Sequence, residues 1–129
     1  MTLLVDGDST SRTFEVRSDP ALQVTVAQHK AREAFLLEVA DLQKRTEERA
    51  AELRAKRGSV SGPDAERLAA LERRLTAGRE SARSKLATIA RAFNGTGAQQ
   101  GSFMPPTATQ KQLLADVKAD LAAVEKELK

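Results

Sequence analysis

The chain has 129 residues, of which 40% are apolar and 3% aromatic, and it contains neither Trp nor Tyr. This length holds one ordinary domain, whose core must be built from Leu, Ala and Val, a composition that favours helices. Basic residues outnumber acidic ones by 21 to 18, and the absence of Cys excludes thiol nucleophiles, disulfides and thiolate-bound metals.

Residues 1–20 are predicted to form a β-hairpin. The apolar run 3–5 is followed by a predicted turn at 6–11, which contains the strong hairpin turn signal Asp6-Gly7, and Arg12, Phe14 and Val16 then alternate as in a half-buried strand. Two strands alone are only marginally stable in water, so we interpret this hairpin as the remnant of a β-sandwich whose earlier strands are missing. The dipeptide Asp-Pro at 19–20 marks the break before the helical part, 21–129.

Three charged blocks rich in Leu and Ala predict three helices, at 26–56, 63–93 and 107–128. Two gaps without charged residues, 58–62 and 94–106, separate them and have the Gly, Ser and Pro content of loops. The short first connection forces the first two helices to run antiparallel. The predicted fold class is therefore mainly α: an antiparallel three-helix bundle of coiled-coil character, preceded by the short N-terminal β-hairpin.

Each predicted helix has an apolar face. Apolar residues repeat every seven positions in the second helix, and the third has the alternating spacing of three and four that marks a coiled-coil seam. The positions concerned are Leu68, Leu75, Ala82 and Ile89 in the second helix, and Leu114, Val117, Leu121, Val124 and Leu128 in the third. Thr25 is predicted to cap the first helix and Thr107 or Thr109 the third. Gly58 and Asn94-Gly95 are predicted stops.

Short segments of the chain carry a family resemblance. They are Asp-Pro-Ala-Leu-Gln-Val at 19–24, Phe-Leu-Leu-Glu-Val at 35–39 and Pro-Pro-Thr-Ala-Thr-Gln at 105–110. Together with the hairpin sequence LLVDGDSTSRTFEV, they resemble the C-terminal end of large bacterial proteins with a sortilin-like BNR-repeat β-propeller, which are often labelled glycosyl hydrolase or sialidase-like. In such proteins a small Ig-like β-domain ends in a hairpin and helices follow it. The resemblance therefore implies that this chain is a C-terminal accessory module.

The resemblance also implies where chemistry would occur. Catalysis or ligand binding would belong to the propeller, whose Asp-box repeats do not occur in these 129 residues, so no family active-site residue is carried over. We accordingly predict neither enzymatic activity nor a cofactor. The family favours a cell-envelope or secreted location for the parent protein, although the first residues lack the basic and long apolar regions of a signal peptide. No stretch approaches the roughly 20 apolar residues of a membrane span, so we predict no membrane partner.

Isolated polar features favour ordinary structural roles. His29 has no partner nearby in sequence, so a solvated or partly packed side chain is favoured over a metal ligand. Asp6 and Asp8 lack the further oxygen ligands of a calcium loop, which favours turn chemistry. Glu47-Glu48 lie among arginines on a helix surface, without the facing carboxyls that glycoside hydrolysis needs. The run Asn94-Gly95-Thr96 matches the N-glycosylation acceptor but is also a helix stop.

A nucleic-acid interface is the main alternative class of function. The basic residues that could form a stripe are Arg54, Lys56, Arg57, Arg73, Arg74, Arg79, Arg83, Lys85 and Arg91. Acidic residues are interleaved among them and no stacking aromatic accompanies them, which favours a solvated, salt-bridged helix face. The alternative prediction is a free-standing helical adaptor that binds nucleic acid or a protein through these faces.

Protein interaction is the favoured function. The edges of the hairpin are predicted to accept a strand from another chain. The apolar stripe of the first helix is interrupted at Thr46 and Arg49, which are predicted to face Gly78 and Ala82 and to leave room for a partner. We therefore expect contact with the rest of a parent chain, or self-association as a homo-oligomer. The predicted interaction residues are Phe14, Val16, Arg54, Lys56, Arg57, Arg73 and Arg74.

Overall fold

The computed structural model describes residues 2–5, 8–15, 17, 19, 21, 23–98 and 100–128. Within them the chain is mainly helical, as predicted. The elements are the strands β1 (Thr2–Val5) and β2 (Asp8–Ser11), followed by the helices α1 (Val26–Gly58), α2 (Pro63–Thr76), α3 (Ala82–Asn94) and α4 (Ala108–Leu128).

The N-terminal segment differs from the predicted hairpin. β1 and β2 pair antiparallel, with Thr2 opposite Ser11 and Val5 opposite Asp8. Because β1 is only four residues long, the pairing ends at Ser11 and does not reach the predicted second strand. Residues 12–15 have no regular structure, and Phe14 is 63% exposed. The prediction of a strand at 12–15 is therefore wrong, and so is the prediction of a turn at 8–11, because these residues form β2. Val16 and the first two residues of the predicted turn, 6–7, lie outside the described residues.

The predicted second helix is broken into two, so the prediction of three helices is wrong within the described part of the chain. Ala77 has extended backbone (φ −116°, ψ 135°), and Gly78 has φ +85°, a left-handed value that favours glycine. Ser81 then starts α3, because its side-chain oxygen accepts a hydrogen bond from the backbone N–H of Ser84. A helix stop and a new N-cap thus occur within five residues.

The seven-residue apolar repeat continues across this break. Leu75, Ala82 and Ile89 are all fully buried, although the backbone between the first two leaves the helix. The repeat correctly identifies core positions, but it does not distinguish one long helix from two that point the same face inward.

Ion pairs show how the helices are arranged. Arg54 of α1 lies beside Glu72 of α2, and Glu47 of α1 lies beside Arg83 of α3, so α2 and α3 together run antiparallel to α1. α4 runs in the same direction as α1, because Glu38 pairs with Lys118 while residues further along both helices also pair. The result is an antiparallel helical bundle whose middle leg is divided.

The core lies between these helices. Its buried residues are Phe35, Val39, Leu42, Ala50 and Leu53 of α1, Leu75 of α2, Ala82, Leu86, Ile89 and Phe93 of α3, and Leu114, Val117, Leu121 and Val124 of α4. Most are aliphatic, as the composition predicts.

The starts of α1 and α4 use the same capping arrangement. The Thr25 hydroxyl accepts a hydrogen bond from the backbone N–H of Gln28, whose side-chain oxygen accepts from the backbone N–H of Thr25. Thr107 and Gln110 repeat both bonds at α4. These reciprocal bonds satisfy backbone N–H groups that a helix start leaves unpaired. The predicted caps at Thr25 and Thr107 are confirmed.

Candidate functional site

Two of the predicted basic interaction residues converge on one carboxylate. Arg54 Nε lies 2.5 Å from one oxygen of Glu72, and Arg57 Nη1 lies 2.8 Å from the other. The Glu72 side chain is only 13% exposed, whereas the two arginines are about half exposed. These arginines therefore attach α1 to α2.

Lys56 and Arg73, two further predicted interaction residues, differ in whether they contact another helix. Lys56 Nζ donates to the backbone carbonyl of Leu128, which joins the C-terminal ends of α1 and α4. Arg73 donates only to the carbonyl of Ala69 in its own helix, at 3.3 Å, and has no carboxylate partner among the described residues. Of these two residues, Arg73 is the one whose side chain is exposed and outside any contact between helices.

Arg74 belongs to a partly buried cluster at the helix break. Its guanidinium contacts Asp120 Oδ1 at 2.7–2.8 Å, and Lys85 Nζ lies 3.6 Å from Asp120 Oδ2. The side chains of Asp120 and Lys85 are 12% and 15% exposed. One carboxylate on α4 thereby joins α2 to α3.

Two further pairs perturb ionisation. Arg45 Nη2 donates to Glu125 at 2.9 Å, and this bond, with a weaker one from Arg49, lowers the pKa of Glu125. Hydrogen bonds from Arg83 likewise lower the pKa of Glu47. In each case the guanidinium favours the ionised carboxyl. Both carboxylates are partners of arginines on another helix, and their shifts reflect this pairing.

Both residues that interrupt the apolar stripe of α1, Thr46 and Arg49, make contacts within the molecule. Thr46 is 1% exposed, and its hydroxyl donates to the carbonyl of Leu42 at 2.7 Å. Arg49 lies at the interface between α1 and α4, where its guanidinium contacts Glu125. Ala82 is buried in the core, but the position of a Cβ on Gly78 has no atom within 4 Å. The predicted juxtaposition with Gly78 is therefore wrong, because Gly78 serves the break between α2 and α3.

Two shallow depressions lie beside these pairs. One, of about 390 Å³, is lined by Arg49, Glu52, Glu125 and Leu128. The other, of about 330 Å³, lies between α1 and α3 and is lined by Gln43, Lys44, Thr46, Glu47, Arg83, Leu86 and Ala87. Lys44 pairs with Glu48, and the other charged groups of each depression pair with one another. Neither depression therefore presents converging free groups of the kind that a catalytic site uses.

The loop between α3 and α4 holds an exposed apolar pair that the sequence analysis missed. Phe103 and Met104 are 50% and 55% exposed. Arg32 of α1 anchors this loop: its Nε donates to the carbonyl of Ser102 at 3.0 Å, and its guanidinium lies 6.0 Å from the Phe103 ring centre and 5.5 Å from that of Phe93. The sequence did contain a signal for this pair, since Phe103 and Met104 are adjacent large apolar residues within an uncharged loop that contains Gly and Pro.

Metal and membrane sites receive no support within the described residues. No group of three or more His, Asp or Glu there could hold a metal ion. No described helix is both long and apolar enough to cross a membrane. His29 is half-buried near the start of α1. The side chains of Asp6 and Asp8, considered above for calcium, lie outside what the structure describes.

Comparisons with family models, with curated proteins and with solved structures found no match for this chain.

Proposed function

We propose that this chain is a non-catalytic C-terminal accessory or assembly module, which acts by protein interaction within a larger propeller-bearing protein. One observation carries the proposal. The basic residues that could have formed an anion-binding stripe are mostly engaged between helices, while large apolar side chains at 14, 103 and 104 face solvent. Exposed apolar groups favour a protein surface as partner.

The pairing of charges is the main argument against the nucleic-acid adaptor. Arg54 and Arg57 share Glu72, and Arg74 is held by Asp120. A phosphate backbone would have to displace these carboxylates before it could bind the arginines. Each displacement removes part of the favourable electrostatic free energy that normally drives binding to nucleic acids.

The N-terminal segment would join the module to its parent. Phe14 is exposed, and residues 12–15 form no strand. In the proposed parent, Phe14 and Val16 would contact the adjoining β-domain, and the predicted sandwich remnant at 1–20 would be completed there. This placement follows the family resemblance.

Heparin chromatography of the full chain distinguishes the two functions. We expect elution near or below physiological ionic strength, about 0.15 M. Glu72→Gln removes the carboxylate that holds Arg54 and Arg57, so this variant should elute at higher salt than the wild-type chain. The adaptor hypothesis predicts instead that the wild-type chain binds well above that ionic strength and that Arg73→Ala reduces its retention. That result would overturn the accessory proposal.

A further inference from the structure

The bundle consists of two helical hairpins. α1 packs most extensively on α2, and α3 packs most extensively on α4. The four-residue connection 59–62 closes the first hairpin, while the second is closed by the loop 95–107, which folds back on α3 through a hydrogen bond from Ser102 N–H to the Ala92 carbonyl. Each hairpin is therefore a locally connected unit, and residues 77–81 join the two.

The first four residues of the connection between the hairpins are exposed and make few contacts. Residues 77–80 are all exposed, and Arg79 and Glu80 make no hydrogen bond or ion pair with any described residue. The internal bonds of the segment are those from Ser81 to the carbonyl of Gly78. Gly78 has φ +85°, and no atom lies within 4 Å of the position of a Cβ. Residues 77–80 can therefore change conformation without losing core contacts, while Ser81 is 3% exposed and caps α3.

Charged groups on the facing surface of one hairpin pair with opposite charges on the other hairpin. Along the first hairpin the groups that meet the second are, in chain order, Glu38, Arg45, Glu47, Arg49, Arg67 and Arg74. Their partners on the second hairpin are Lys118, Glu125, Arg83, Glu125, Glu127 and Asp120. The second hairpin of another copy carries the same charged partners and the same apolar stripe.

We propose that two copies of this chain exchange hairpins, so that α1–α2 of one copy packs on α3–α4 of the other, with residues 77–81 as the hinge. Every contact between the hairpins in the monomer is remade in the dimer, so the equilibrium depends on protein concentration and on the conformation of the hinge. The inference rests on the proposed assembly role and specifies it: the partner is a second copy, and the interface is the surface between the hairpins.

A charge-reversal mixing experiment tests the exchange. One chain carries Glu125→Arg, so that the new arginine repels Arg45 and Arg49 of the same chain. The other carries Arg45→Glu and Arg49→Glu, which oppose its own Glu125. After refolding together from urea, exchanged heterodimers restore both sets of pairs. We expect native mass spectrometry to show at least about tenfold more heterodimer than either homodimer. A mixture that contains only monomers, or heterodimers at the statistical proportion, would overturn the proposal.

A hinge variant keeps the test decisive if the reversed chains fold poorly. Gly78→Ala places a side chain at positive φ, which disfavours the closed hinge, so the dimer fraction at fixed concentration should rise about tenfold. The matched control is Gly62→Ala, which has similar strain at φ +66° but lies within the first hairpin. It should lose stability and remain monomeric in sedimentation equilibrium. Equal dimer fractions in the two variants would overturn the hinge assignment. Heparin retention does not depend on this exchange, so failure of the exchange and failure of the accessory role are distinguishable.

Discussion

Gly101 is the position where one methyl group should disturb the bundle most clearly. An ideal Cβ on Gly101 would lie 1.8 Å from the carbonyl oxygen of Phe93 and 2.5 Å from its carbonyl carbon. Both are backbone atoms at the end of α3, so no side-chain rotation relieves the overlap. The loop would have to move outward by about 1 Å or more to reach ordinary contact distance.

The size of the effect follows from the bonds that this movement breaks. Ser102 N–H donates to the Ala92 carbonyl at 3.0 Å, and Arg32 donates to the carbonyl of Ser102 at 3.0 Å. A neutral hydrogen bond contributes about 1 kcal/mol and a charge-assisted one about 1.5–3 kcal/mol. We therefore expect Gly101→Ala to reduce the free energy of unfolding by about 2–4 kcal/mol and the melting temperature by about 10 °C.

Urea unfolding followed by circular dichroism at 222 nm measures this loss, and two other glycines provide controls. Gly97 has φ +81° and open space around it, so Gly97→Ala should cost only about 1–2 kcal/mol from backbone strain. Gly58, at the end of α1, has no such strain and no neighbour within 4 Å, so Gly58→Ala should stabilise by about 0.5–1 kcal/mol. A Gly101→Ala midpoint equal to or above that of the wild-type chain would refute the steric argument.

Three further substitutions test the polar contacts. Asp120→Asn should lower the free energy of unfolding in urea by about 1–2 kcal/mol, because the partly buried carboxylate joins α2, α3 and α4. An unchanged urea midpoint would contradict this role. The folded-state pKa of Glu125 is lowered by its hydrogen bond from Arg45, so its contribution is present above the ordinary pKa of 4.5 and is lost as the pH falls through the folded value. Glu125→Gln should therefore cost up to about 1 kcal/mol at pH 7 and less at pH 3, and a difference that grows on acidification would exclude the linkage. Thr107→Ala should lower the free energy of unfolding by about 1 kcal/mol, because it removes the cap of α4. Thr109→Ala, outside the cap, is the control, and equal urea midpoints for the two variants would contradict the capping role.

The parts of the fold that the sequence predicted are those governed by local signals. The seam of α4 gives four buried residues at the expected spacing, and the Thr-x-x-Gln starts of α1 and α4 form the expected caps. Such signals involve residues within one or two helical turns, so a single sequence contains them in full.

The break at 77–81 was missed because two signals conflict. Gly78 and Ser81 mark a stop and a start, but the apolar repeat Leu75, Ala82 and Ile89 continues across them. Periodicity identifies the inward face and does not report whether the backbone stays helical between two inward positions. The misplaced strand has a related cause: the alternation at 12–16 is genuine, but pairing depends on a four-residue partner that ends at Val5.

Charge pairing depends on tertiary structure. The basic residues at 54, 57 and 74 are clustered in sequence, and only the folded chain shows that carboxylates of other helices reach them. Most of α1 and all of α2 and α3 separate Arg32 from Phe103 in the sequence, and the two meet because α3 ends beside the start of α1. The sequence could therefore predict basic helix faces, but it could not show which of their residues remain unpaired in the folded chain.

The measurement that tests the accessory role most directly is the size of the native product in the source cells. An immunoblot with antibodies against residues 26–129, with mass spectrometry of the detected band, provides it. The account predicts a band many times heavier than 14.0 kDa that contains peptides from a β-propeller. A single band at 14 kDa, with no propeller peptides, would contradict it and would make this chain a protein that acts alone or with a separate partner.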